Sequence, residues 1–178
     1  EGDILLGPAD QLMGRYGFSP SIGQNAMGAV AVKDRGYLWA NAEIPYEMDG
    51  TITQEKAGQI NWAINEAASG GLKLRPKQFG DTDYIVFHDT GESWNCSSYI
   101  GRIGGAQTVN VAGCGGGSIV HEIMHAAGFH HEQSRGDRDQ YITISWNDII
   151  DSERTHFETR GASAQDIGPY DYSSIMHY

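Results

Sequence analysis

Four residues in one short window could do metal chemistry: His121, Glu122, His125 and His131. In His121-Glu122-Ile123-Met124-His125 the two imidazoles stand four residues apart, so on a helix they leave from one face and can grip one cation. Ala126-Ala127-Gly128-Phe129-His130-His131 follows. Gly128 is where such a helix can stop, because glycine accepts the left-handed conformation that sterics deny other residues. The chain then turns back and brings His131 to the cation. Three neutral imidazoles with an open fourth position describe a catalytic zinc site, whereas a closed structural site usually recruits cysteine. One zinc ion is therefore expected, with cobalt or copper as conceivable replacements. Glu122 points around the helix toward the open side and reads as a base, not a ligand: a carboxylate there can take a proton from an activated water and return it to a departing amine. An isolated H-E-x-x-H arises by accident in many helices. The full H-E-x-x-H-x-x-G-x-x-H makes coincidence remote. The competing pattern, with Glu153 or Glu158 as third ligand, comes second to His131. His130 is misplaced by one residue, and with His88 and His156 it reads as an ordinary surface or partly buried histidine.

These residues need a helix, and Ser118, after Gly115-Gly116-Gly117, is a good N-cap for one beginning at Ile119. The glycine run lacks the Gly-Lys-Ser/Thr ending of a phosphate loop, so a nucleotide site is excluded. A second helix is predicted after Thr51 or Thr53, with Ala57, Ile60, Ile64 and Ala67 on one face and Gly70-Gly71 at its end. Glu43-Ile44-Pro45-Tyr46 reads as a strand whose proline suits a strand beginning or an edge. Leu72 to Arg75, Tyr84 to Phe87, Ser98 to Arg102 and Thr108 to Val111 read as further strands. Residues 1–35, broken by Gly7-Pro8 and Ser19-Pro20, read as a loop-rich arm. A mixed sheet beside two helices, an α+β fold, is the economical outcome.

The 178 residues, 39% hydrophobic, suffice for one core and one domain. A net charge of -11, with no cluster of Lys or Arg, argues against nucleic acid and anionic membranes as partners. No apolar run reaches the length of a membrane span, and Glu1-Gly2-Asp3 lacks the features of a signal peptide. Cys96 and Cys114 are close enough to close one short loop, which suggests a disulfide and an oxidising compartment.

The extended signature through Glu132 resembles that of the astacin family of metzincin metalloendopeptidases. Tyr170-Asp171-Tyr172-Ser173-Ser174-Ile175-Met176-His177-Tyr178 is similar to that family's Met-turn. Tyr37-Leu38-Trp39 with Ile44-Pro45-Tyr46 resembles the start of its catalytic domain. Tyr99-Ile100-Gly101-Arg102 and Gly105-Ala106-Gln107, between Cys96 and Cys114, resemble its edge-strand region and short disulfide. Arg135-Gly136-Asp137-Arg138-Asp139 follows the family's run with Gly136 where proline is usual.

The resemblance implies a zincin-like (metzincin) fold, with an edge strand over the cleft, and a zinc-dependent endopeptidase acting on protein or peptide substrates, secreted and monomeric. Met176 would form an apolar floor beneath the zinc. Tyr178 would be a resting ligand that swings away and donates a hydrogen bond as the tetrahedral intermediate forms. Glu132 would anchor the N-terminus of the mature enzyme, which would begin near Asn25 to Met27. Ser97, Ser98 and Tyr99 would pair with an extended substrate, although the family often has Trp where Ser97 stands. Glu1-Gly2-Asp3-Ile4 is similar to the propeptide switch, making Asp3 the zinc ligand of a latent form. Residues 1–24 are then a propeptide tail or N-terminal extension and 25–178 a catalytic domain without the segment that follows the Met-turn in the family. The alternative to an enzyme is a latent or inactive zinc-binding module that engages protein partners.

Overall fold

A computed structural model describes residues 28–92 and 95–177. Among these residues eight strands form two sheets. In the larger, β2 (Glu43–Met48), β3 (Lys73–Pro76), β4 (Tyr84–His88), β5 (Asn95–Ser98) and β6 (Ala106–Ala112) lie in the order β3-β2-β4-β6-β5. Its pairs are parallel except β5 with β6, so β5 is an antiparallel edge strand. In the smaller, β1 (Ala29–Val32) lies between β7 (Phe129–His130) and β8 (Ala164–Ile167), antiparallel to both.

The first helix, α1 (Gln54–Ser69), begins at Thr53, whose hydroxyl accepts the Lys56 N–H, and it buries Ile60, Ala63, Ile64 and Ala67. The face predicted from periodicity is the face that packs. Against it lies α2 (Gly116–Ala127). Ile44, Ile85, Phe87, Val109 and Val111 from the sheet join Ile119, Ile123 and Ala126 of α2 in one core. Buried Trp39 donates its indole N–H to the Ala126 carbonyl at 2.8 Å, which fixes the segment before β2 to the end of α2.

Four sequence-based expectations differ from this. The helix carrying the histidines starts at Gly116 with Gly115 as its cap, and Ser118 lies inside it. The reason is steric: the Trp62 ring occupies the space a Cβ at Gly116 would need, within 2.6 Å, so only glycine lets the helix start here against α1. The strand expected at Ser98 to Arg102 lies earlier, at β5. Gly101, at φ 64, bends the chain after it, and Arg102 anchors the bend through Leu38 O, Gly36 O and Asp83. The arm expected over residues 1–35 contains β1, the buried centre of the smaller sheet. Pro45 lies in an internal strand, but β2 meets β4 only from Tyr46 onward, so the missing N–H breaks no ladder on that side.

Candidate metal centre

Two turns of α2 carry His121 and His125, and the helix then ends at Gly128, whose φ of 103 is the left-handed conformation. The Gly128 N–H donates to the carbonyls of Met124 and His125, closing the helix as the chain reverses. Strand β7 follows at once and pairs with β1, which delivers His131 back beside the helix. Its Nε2 lies 3.1 Å from Nε2 of His121 and 3.0 Å from Nε2 of His125. Among the described residues these three form the one group whose geometry could hold a metal ion.

The other ring nitrogens decide what that convergence means. His121 Nδ1 lies 2.8 Å from the Ile175 carbonyl and His125 Nδ1 lies 3.0 Å from the Phe129 carbonyl. A carbonyl only accepts, so each Nδ1 carries its proton and each Nε2 presents a lone pair. Nitrogens packed this closely need a proton or a cation among them. Burial opposes the proton: it drives the His125 pKa well below the usual histidine range, reinforced by His121 and His131, and pushes His131 down to about 3. Tetrahedral zinc with Zn–N bonds of about 2.0–2.1 Å sets its ligand nitrogens about 3.3 Å apart. The triad fits zinc.

Around the triad, Glu122 is buried on the intervening turn. Met176 is 3% exposed and belongs to the core, and its carbonyl accepts the Glu132 N–H at 2.8 Å. The turn that ends in Met176 thus holds both the His121 ring, through Ile175, and the backbone beyond His131. Glu132 is fully buried: Oε1 accepts the Asp171 N–H at 2.9 Å and lies 3.5 Å from Arg135, and burial pushes its pKa up to about 7. Gly28 sits on this carboxyl so closely that a Cβ would come within 2.6 Å of Oε1. Arg135, itself buried, bonds Asp137 and the carbonyls of Ile167 and Gly168, so the ion pairs behind the site also sew up the smaller sheet.

Ser97 and Ser98 lie on β5, and Tyr99 follows it. Ser98 is buried, Ser97 is partly buried and Tyr99 is half exposed. Cys96 and Cys114 are joined in a disulfide that ties β5 to the segment entering α2. Asp3 and Tyr178 lie outside the described residues. His88 pairs with Asp49 at 2.5 Å, and His156 with Glu153 at 3.6 Å; neither is grouped with the triad. His130 departs from the sequence reading, being 2% exposed, because β7 places it opposite Val30 inside the smaller sheet. The carbonyls of Ile175 and Phe129 were not found by sequence reasoning, since every residue carries a carbonyl and no side-chain signal marks these two.

Comparison with known proteins agrees with this geometry. Residues 31–178 match the peptidase family described as Astacin. Zinc metalloproteinase nas-15 of Caenorhabditis elegans is 40% identical over 154 residues, covering 83% of this chain and 26% of its own length. Zinc metalloproteinase nas-13 of the same organism is 38% identical over 169 residues, covering 92% of this chain and 37% of its own. The chain therefore spans well under half the length of these relatives. Among solved structures, high choriolytic enzyme 1, a hatching enzyme zinc-protease from Oryzias latipes, aligns with TM-score 0.69 at 32% identity, covering 86% of this chain and 78% of its own.

Proposed function

The chain belongs to the astacin family of peptidases, and from that premise we propose that it is the catalytic part of a zinc-dependent endopeptidase. The observation that carries this reading is the convergence of the His121, His125 and His131 Nε2 atoms, with backbone carbonyls holding two of the rings in the ligating tautomer. Zinc held there supplies Lewis-acid activation of water and of a substrate carbonyl near neutral pH. Glu122 takes the proton of the attacking water and delivers it to the leaving amine, which suits a carboxyl kept out of bulk solvent beside the ligands. Tyr178 donates a hydrogen bond to the oxygen on which negative charge develops. Met176 gives the ligand cluster an apolar floor, and Gly128 sets the reversal that presents His131.

An extended stretch of protein substrate adds to the sheet at β5, whose outer edge has no strand beside it among the described residues. Ser97 and Tyr99 meet its side chains, and Ser98 contributes backbone hydrogen bonds. Residues 1–24 form the tail that keeps the enzyme latent, with Asp3 directed to the metal, and 25–178 are the catalytic domain. Glu132 anchors the trimmed N-terminus, a reading supported by the packing of Gly28 on its carboxyl. The disulfide supports secretion into an oxidising compartment, and the enzyme acts as a monomer. No helix among the described residues is long and apolar enough to cross a membrane.

The test is hydrolysis of an internally quenched peptide by the trimmed chain. Activity is lost in a strong chelator and returns with added zinc. Hydrolysis that persists in the chelator would overturn the proposal.

A further inference from the structure

Where α1 meets the first turn of α2, a cleft of about 480 Å³ opens to solvent, lined by Glu55, Gly58, Gln59, Trp62, Gly116 and Gly117. It is a shallow hollow, open along most of its boundary, that can hold one face of a ligand and leaves the other in solvent. All three glycines stand in helices, where glycine is destabilising relative to alanine. Gly116 has a reason inside the fold, because a Cβ there would strike the Trp62 ring. Gly58 and Gly117 have no such reason: a Cβ at either would meet nothing within 4 Å. Both face open space beside Trp62.

The walls of that space are chemically mixed. Trp62 is half exposed, with the edge of its benzo ring over Gly116, and offers an aromatic surface. Glu55 offers hydrogen-bond acceptors. Gln59 Oε1 is buried without a partner among the described residues, so this amide gains a bond if it turns outward to a ligand hydroxyl. Gly115, which caps α2, provides no side-chain bond to the first N–H groups of the helix, so donors are present as well.

The combination favours a ligand that has both an apolar face and hydroxyls. An anion would meet Glu55 and a chain of net charge -11. A cation would be drawn to Glu55 but opposed by the positive end of the α2 dipole, and would leave the helix donors unused. A purely apolar guest would leave the amide and the helix donors unsatisfied. A sugar ring has an apolar C–H face for the indole and hydroxyls that both donate and accept. We propose that this cleft binds a neutral oligosaccharide, with one pyranose ring stacked on Trp62 and its hydroxyls directed to Glu55, Gln59 and the start of α2. His121 follows Gly117 by four residues, about 6 Å along the helix axis.

The test uses chitotriose, mannotriose and N-acetyllactosamine as probes of the full chain, by saturation-transfer NMR and titration calorimetry. At least one binds saturably, and binding weakens by about tenfold or more in both Trp62→Ala and Gly58→Leu. Gly58→Leu is the sharper variant, because replacing a helical glycine raises the melting temperature while the new side chain fills the cleft. Loss of binding in a more stable protein then has no folding explanation. Competition identifies the natural source: displacement of the probe by a glycoprotein but not by its deglycosylated form indicates a protein-borne glycan, and displacement by neither indicates free saccharide. Absence of saturable binding by all three probes, or binding that survives both substitutions, overturns the proposal.

Discussion

Glu122 and Glu132 are buried carboxyls ten positions apart with different consequences when altered. Glu122→Gln keeps the shape of the side chain and removes its capacity to carry a proton. Zinc content, measured by atomic absorption, should stay at the wild-type level while kcat falls by about 10²–10⁴ or more. Retained turnover would place the base elsewhere. At Glu132 burial raises the pKa from 4.5 to about 7. The folded chain therefore holds this proton more tightly than the unfolded chain, so the stabilisation is fully present below about pH 4.5 and is lost as pH rises through about 7. In Glu132→Gln that loss disappears. Melting temperatures of both proteins across this window, taken in a chelator so that ligand titration is common to both, should diverge in slope; parallel curves would refute the assignment. At this scale much of the centre was legible. The spacing of His121 and His125 encodes their shared helix face, and Gly128 marks the stop after which the chain can return His131. The carbonyls that orient two of the rings, and the burial of His130, depend on pairing with residues far away in the chain.

At the scale of elements, the site depends on how α2 stops. Gly128 adopts φ 103, so Gly128→Ala imposes a left-handed cost of about 1–2 kcal/mol and loosens the reversal that carries His131. A lower melting temperature together with weaker zinc affinity is the expected pair of effects, read by thermal denaturation and metal titration. A stability loss with unchanged affinity would show that β7 alone positions the ligand. The disulfide plays the corresponding role for the edge strand, because it joins β5 to the segment entering α2 across a sequence separation of 18. The Cys96→Ser, Cys114→Ser double variant should lose about 3 kcal/mol of stability in denaturant unfolding and bind extended peptides less tightly, seen as a raised KM; an unchanged KM would free β5 of that role. Both helices were readable because an amphipathic period and a glycine stop are local signals. The true start of α2 was not, since it is set by the Trp62 ring on another helix. The smaller sheet was equally hidden: β7 is two residues long, and β1 becomes a strand only because β7 and β8 flank it.

For the whole molecule, the question is how the N-terminal arm couples to the centre. β1 is pinned between β7 and β8, and β7 leads directly into His131, so the backbone entering the core at Gly28 is one sheet pairing away from a metal ligand. Removing residues 1–24 leaves β1 intact and creates a new ammonium within about 11 Å of chain from Gly28, which rests on the Glu132 carboxyl. A positive charge drawn to that carboxylate favours its ionised form, so trimming should bring the Glu132 pKa down and abolish the fall in stability between about pH 4.5 and 7. If Asp3 maintains latency, trimming should also raise peptide hydrolysis by about tenfold or more, and Asp3→Ala should release the same activity without cleavage of the chain. The two readouts separate the ideas they test. Activation without a change in the pH profile would keep the latency role of Asp3 and deny the anchoring role of Glu132. A full-length chain already as active as both the trimmed protein and Asp3→Ala would mean that residues 1–24 do not restrain the centre.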